Sequence, residues 1–354
     1  MSNKTYFLGC PTPDGFETHL GDDVKSGDFF TYIIKGGPGT GKSTLMKRIA
    51  AALSDIDPAE LYYCSSDPDS LDAVIFRKLG VIFVDGTAPH VFEPAYPGAR
   101  ERLLDLGRFW DCEKLRENAD DVIRYSDENS KLHLRVKRCL GAICNLNADT
   151  ISGAESALLK DKLAAYAKRL SLRLMPKTGR SAGKISLRQI TSVTPKGVIT
   201  QSAAFDGCVK YAIADPCSAV ADALLKSLSV YAASAGYDVI ASKNVFCFGC
   251  VYEHIVIPEL GLAFVSESAS EAADGRINAL RFYDRDLIRE RRRRYLFNAG
   301  AKRELTASAI ETLAQAKAVH DDLERCYIGA MDFGAVEKLT EELEKELRAK
   351  AAAD

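Results

Sequence analysis

Short apolar runs rich in aromatic and β-branched residues alternate with segments of helical period in the first part of the chain, the pattern of an α/β fold. Residues 29 to 35, FFTYIIK, read as a buried parallel strand, and LMKRIAAAL from Leu45 continues at helical period. LYYCSS from Leu61 and LGVIFVDGT from Leu79 read as two further strands. Residues of roughly 100 to 172 and 276 to 352 are rich in Leu, Ala, Arg, Lys and Glu and almost without proline. They predict long helices, arranged as pairs or hairpins that pack on the sheets or on each other. MPKTGRSAGK, Met175 to Lys184, has the Pro, Gly and Ser content of a linker.

The 354 residues, 47% of them apolar, suit two domains of ordinary size. A formal charge of -2 supplies no global field to recruit nucleic acid or an anionic membrane. The start, MSNKTYFLGCPTPDG, lacks the pattern of a secretory signal, and no run reaches the roughly 18 apolar residues of a membrane span. A cytoplasmic protein is expected. Ten cysteines without framework spacing, many within apolar runs, fit reduced core thiols. Cys247 and Cys250 lack the second pair that a zinc site requires.

FFTYIIK leads directly into GGPGTGKST. Gly36, Gly41, Lys42 and Ser43 fill the G-x-x-x-x-G-K-[ST] pattern between a strand and a helix. A triphosphate must be wrapped by backbone N–H groups, and glycines at Gly36, Gly37, Gly39 and Gly41 let the chain come close enough. The cofactor-binding segment is thus Gly36, Gly37, Pro38, Gly39, Thr40, Gly41, Lys42, Ser43 and Thr44. The helix N-terminus favours the phosphates, Lys42 adds positive charge at the β and γ groups, and Ser43 is placed to ligate magnesium. Asp85, at the end of VIFVD, is the expected second metal residue. ATP with Mg2+ is the expected ligand; no N-K-x-D motif supports GTP.

The second half repeats the first at a separation of about 180 residues. TPDGFETH is matched by TPKGVITQ from Thr194, and YIIKGGPGTGKSTLMKRI lies over YAIADPCSAVADALLKSL from Tyr211. LGVIFVDGT lies over LGLAFVSES, and RFWD at Arg108 over RFYD at Arg281. Lys42 falls opposite Ala221, Ser43 opposite Asp222, Gly36 opposite Asp215, Gly41 opposite Val220 and Asp85 opposite Ser266. The second copy therefore reads as an empty nucleotide fold, with Asp215 and Asp222 repelling phosphate and no compensating charge nearby. Used as a filter, the comparison singles out Asp67, opposite Phe248, and His90, near Ser270 or Glu271. Asp72 keeps an acid in Glu253 and passes unselected. Asp67 stands at the end of LYYCSS, where a general base or water-positioning group belongs, but Ser66-Asp67-Pro68-Asp69 is equally a turn that caps a following helix. His90 is either catalytic or a satisfied loop histidine.

IIKGGPGTGKST, YYCSSDPDSLD and VDGTAPH, with a second half opening on TPKG and containing VIPELGLAFVSES, together resemble a group of uncharacterised bacterial ATPase-like proteins with tandem phosphate-loop domains. The resemblance spans nearly the whole chain and implies fold and nucleotide binding rather than a biological task. In such relatives the second half often looks like a working loop too; this chain departs there.

The expected architecture is α/β: a P-loop NTPase domain of three-layer αβα type with a mainly parallel sheet, duplicated in tandem, each copy followed by a helical extension. The boundaries are 1 to 175 for the active copy, 176 to 184 for the linker and 185 to 354 for the degenerate copy. Arg289 and Arg291 to Arg294, with Asp284, Asp286 and Glu290 close by, read as a salt-bridged helix or as a phosphate or nucleic-acid contact. The leading function is a magnesium-dependent ATPase with Lys42, Asp67 and His90 as catalytic candidates and the second copy as scaffold or platform for a protein client. Alternatives are a small-molecule kinase, favoured by Gly86 where an ATPase often has Glu, and a non-enzymatic nucleotide sensor.

Overall fold

The computed structural model describes residues 3–269 and 273–353. In the first half, β1 (Lys4–Phe7), the hairpin β2 (Gly9–Thr12) and β3 (Gly15–Thr18), and the short α1 (Gly21–Ser26) precede β4 (Phe30–Lys35) and α2 (Lys42–Ala52). β5 (Glu60–Tyr63), β6 (Leu71–Phe76), β7 (Val81–Asp85) and β8 (Glu101–Asp105) follow, then α3 (Cys112–Glu117), α4 (Ala119–Glu155) and α5 (Lys160–Leu174). The second half runs β9 (Ile185–Leu187), β10 (Thr191–Thr194), β11 (Gly197–Thr200), β12 (Val209–Ala214), α6 (Ala219–Ser234) and β13 (Val239–Lys243). It ends with β14 (Tyr252–Ile257), β15 (Leu262–Ser266), β16 (Gly275–Asn278), α7 (Arg285–Glu290), α8 (Arg292–Ile328) and α9 (Phe333–Ala353).

The two sheets have the same order, β1-β5-β6-β7-β4-β8 and β9-β13-β14-β15-β12-β16. Each is mixed: β6 is antiparallel to both β5 and β7, as β14 is to β13 and β15, and the other pairings are parallel. The repeat read from the residues is therefore a repeat of topology. β6 and β7 are buried at every position, which explains their apolar runs, broken only by Asp72 in β6 and ended by Asp85 in β7. Two segments depart from the expected helical stretches. Glu101–Asp105 and Gly275–Asn278 are strands that pair with β4 and β12, because the edge of each sheet offers a ladder, which at Glu101–Asp105 outweighs a helical composition.

The chain forms two compact units. Unit 1 holds residues 1–137, 192–199 and 309–354, and unit 2 holds 138–191 and 200–308. The last helix of each half thus belongs to the unit built on the other half's sheet. In unit 1, Leu339, Leu343 and Leu347 repeat every four residues along α9 and pack in one core with Leu45, Met46 and Ile49 of α2. Glu346 accepts a hydrogen bond from the Tyr32 hydroxyl (2.7 Å) and pairs with Arg102 (3.0 Å), and Arg48 pairs with Glu337 and Glu344. In unit 2, Leu163, Ala167 and Leu170 of α5 share a core with Leu224 and Leu228 of α6. Burying three leucines of α9 contributes roughly 5 to 9 kcal/mol of transfer free energy before conformational entropy is subtracted. Among the described residues no helix is long and apolar enough to cross a membrane.

Within unit 2, Arg294 of α8 pairs with Asp149, and Arg291 donates to the Gly153 carbonyl and the Ser156 hydroxyl. Arg289 lies 3.6 Å from Asp286.

Candidate functional site

Parallel pairing of β4 with β7 sets Ile34 opposite Asp85, so the carboxylate stands at the same sheet edge as the turn that leaves β4. That turn runs through Gly39 and Gly41, with φ of 66° and 88°, into α2, whose N-terminus has no side-chain cap. Its first amides face a cavity of about 1010 Å³ lined by every residue from Gly36 to Thr44, Pro38 included. The Lys42 ammonium is folded back on its own loop: it donates to the carbonyls of Gly36 (2.9 Å) and Gly37 (2.8 Å) and lies 3.5 Å from Asp85 Oδ2. The Thr40 hydroxyl donates to Gly37 (2.9 Å), and Ser43 Oγ accepts from the Leu71 amide (2.9 Å), tying α2 to the start of β6. Thr87 satisfies Asp85 Oδ1 through its amide (2.9 Å) and hydroxyl (2.6 Å), leaving Oδ2 turned to the lysine.

The other wall of this cavity comes from α4 and α8, within unit 1. Glu324 of α8 accepts a hydrogen bond from the Gly39 amide (3.2 Å). A Cβ at Gly39 would lie 2.9 Å from the Glu324 carbonyl oxygen, and one at Gly37 would lie 2.8 Å from the Tyr327 ring. These glycines thus serve close packing of the chain's own helix as well as leaving the amides accessible. Trp110 in turn packs on Tyr327, ring centroids 5.6 Å apart.

Asp67 lies in this cavity within a tight turn. Its Oδ2 accepts from the Ser70 hydroxyl (2.9 Å), its carbonyl accepts from the Ser70 amide (2.8 Å), and Lys317 of α8 stands 3.6 Å away. The turn leads into β6 and not into a helix, because the run LDAVIF is held between β5 and β7. Asp69 is drawn to Lys196 at the β10–β11 hairpin tip (2.6 Å).

Asp72, which the repeat comparison passed over, is the residue that sequence reasoning missed. Antiparallel pairing sets Ala73 opposite Val84, so the first residues of β6 adjoin the last of β7 and Asp72 meets Asp85. A turn in which the His90 amide donates to the Thr87 carbonyl (3.1 Å) brings His90 to the same place, its Nε2 4.0 Å from Asp72 Oδ2. All three side chains are buried. Burial, reinforced by the neighbouring Asp85 charge, pushes the Asp72 carboxyl up to about 7, and burial lowers the His90 imidazole below its ordinary value. The available signal was the retained acid at Glu253: a group kept in both copies marks a shared structural position, here a buried one beside the loop.

In the second copy the corresponding turn is filled from within. Asp215 accepts from the amides of Cys217 (3.0 Å) and Ala221 (2.9 Å), and the Tyr283 hydroxyl donates to it (3.0 Å) while accepting from the Val220 amide (3.0 Å). A carboxylate of the chain thus occupies the position of an anion at the start of α6. Asp222 accepts from the Tyr252 amide (2.8 Å), the counterpart of the Ser43–Leu71 bond, and pairs with Lys226 (2.8 Å). The expectation of uncompensated charge there is corrected: loop amides solvate Asp215 and Lys226 neutralises Asp222. The counterparts proposed for His90, Ser270 and Glu271, lie outside the described residues.

Burial raises the Glu253 carboxyl of unit 2 to about 7, with the Ser266 hydroxyl donating to it (3.4 Å). Between the ordinary value of 4.5 and 7 the folded state holds a proton that the unfolded chain releases, so this group makes stability fall as pH rises through that window and level off above it. Glu253→Gln is expected to abolish this slope. In urea denaturation the variant should gain on the natural protein by up to about 3 kcal/mol between pH 5 and pH 8; an unchanged gap would show that the carboxyl is not so held.

Fold and site define an α/β protein of two similar domains, each on a mixed, mostly parallel six-stranded sheet, with a glycine turn, a lysine and an aspartate gathered at one sheet edge in the first. No family model, curated protein or solved structure matches the chain.

Proposed function

We propose that unit 1 is a phosphate-loop nucleotide domain that binds ATP with magnesium and hydrolyses it, and that unit 2 carries a loop that does not. One observation carries this reading: the Gly36–Ser43 turn joins β4 to an uncapped α2 while holding the Lys42 ammonium 3.5 Å from Asp85. The turn's amides and the start of α2 would receive the β and γ phosphates, and Lys42 would exchange the carbonyls of Gly36 and Gly37 for phosphate oxygens. Ser43 Oγ keeps a lone pair beyond its bond from Leu71, and Asp85 Oδ2 accepts no hydrogen bond among the described residues, so both fit a magnesium ion. That ion would neutralise developing charge on the phosphates.

The loop lies half-buried beside α4 and α8, and partial exclusion of water strengthens the charge interactions that support catalysis. Transfer to a bound hydroxyl compound is the second reading; it is favoured by a cavity at the upper end of ligand-pocket volumes, with room beyond the loop for an acceptor. Phosphate release measured with ATP and Mg2+ and no acceptor tests the choice. Sustained release is the expected result; binding without release would overturn hydrolysis in favour of transfer or sensing.

A further inference from the structure

We propose that Asp72, Asp85 and His90 form a protein-held site for one divalent transition-metal ion, occupied without nucleotide. The inference does not rest on triphosphate binding, and two of its three residues lie outside the magnesium pair Ser43 and Asp85.

The topology builds the site from three separate places. Antiparallel pairing lays the start of β6 beside the end of β7, which supplies two carboxylates, and the turn after β7 folds the imidazole over them. One donor atom from each residue lies within 4.8 Å of the other two. The residues are 6%, 8% and 8% exposed respectively. Donors about 2.1 Å from a common ion lie roughly 3 to 4 Å from one another, so small side-chain rotations close the set.

A second observation concerns what these groups lack. Asp72 Oδ2 and both ring nitrogens of His90 are buried without any hydrogen-bond partner. Buried polar atoms are ordinarily satisfied, and leaving three together unpaired is costly. The Lys42 ammonium lies 3.5 Å from Asp85 and is already engaged by two carbonyls. A single cation would answer Asp72 Oδ2, one of the two His90 ring nitrogens and the adjacent Asp85 carboxylate together, leaving the second ring nitrogen to carry the imidazole proton.

The chemistry of the donors selects the ion. Two carboxylate oxygens and one imidazole nitrogen suit Mn2+, Fe2+ or Zn2+ better than Mg2+ or Ca2+, which favour oxygen alone. Three protein ligands beside an open cavity leave coordination positions for water or substrate. The second copy provides a contrast: Glu253 keeps the acid of Asp72, but Ser266 replaces Asp85, and Glu253 Oε2 lies 3.6 Å from His254 Nε2 without a hydrogen bond among the described residues.

The experiment uses the full chain, stripped with chelator and free of nucleotide, titrated with Mn2+ alone. Loss of the free-ion EPR signal should report one ion per chain, and pulsed EPR should show nitrogen coupling from the imidazole. Asp72→Asn and His90→Ala should each weaken binding at least tenfold. Lys42→Ala should retain the ion or bind it more tightly while losing ATP, which separates this proposal from the nucleotide reading. The proposal is overturned by absence of stoichiometric Mn2+ binding, by bound Mn2+ without nitrogen coupling in the natural protein, or by unchanged affinity in both ligand variants. A nitrogen signal that survives His320→Ala assigns the ion to His90 and not to the cluster of His320, Asp321 and Glu324, and its loss in that variant overturns the proposal.

Discussion

Lys42→Ala is expected to weaken ATP binding by a hundredfold or more while leaving the fold in place. Two charge-assisted hydrogen bonds to phosphate contribute about 1.5 to 3 kcal/mol each, and every 1.4 kcal/mol is a factor of ten in affinity. No other basic residue lies in the Gly36–Thr44 turn to take the place of Lys42 beside the phosphates. Its loss removes the hydrogen bonds that fold it onto Gly36 and Gly37, but those carbonyls border the cavity and keep access to water. Isothermal titration of ATP with Mg2+ against both proteins measures the effect, with the thermal midpoint as control. Equal affinities would remove the phosphate loop from the proposal.

The opposite change is expected at Glu324. Its carboxylate accepts from the Gly39 amide, one of the donors that a triphosphate needs, so nucleotide must displace a negative charge before it seats. Glu324→Ala removes both the competition and the repulsion. At the dielectric of a partly buried site, one charge pair at such range is worth about 1 to 3 kcal/mol, which converts to an affinity gain of roughly five- to 140-fold. The same calorimetry reads it. Weaker binding in the variant would instead make Glu324 a supporting group for the bound nucleotide.

The contrast between these residues shows what the sequence conveys. Lys42 and Ser43 belong to a contiguous turn whose spacing encodes its geometry, and Asp85 ends an apolar run, so all three are legible from local pattern. The repeat is legible for a related reason: apolar spacing is dictated by strands, and the strand order of the two halves is identical. Glu324 reaches Gly39 across 285 residues of chain through a helix with no motif, and no local feature announces it. Asp72 is hidden by a different cause. A buried acid kept in both halves reads as framework, and only the antiparallel placement of β6 shows that it faces Asp85 and His90. The edge strand β8 is concealed by the charged, helix-favouring composition of ERLLD, and β16 by its brevity, since the conformation of both is decided by a neighbouring ladder.

The exchange of terminal helices ties the fate of the two halves together. Residues 1–137 share their unit with 309–354, and 200–308 share theirs with 138–191. A gene fragment ending near the linker would encode the glycine turn yet omit the leucines that cover α2, and the complementary fragment would lack the cover for α6. Neither portion is a transferable cassette. Each half owns part of its sibling's interior, so neither can be shed without opening the other's core to water.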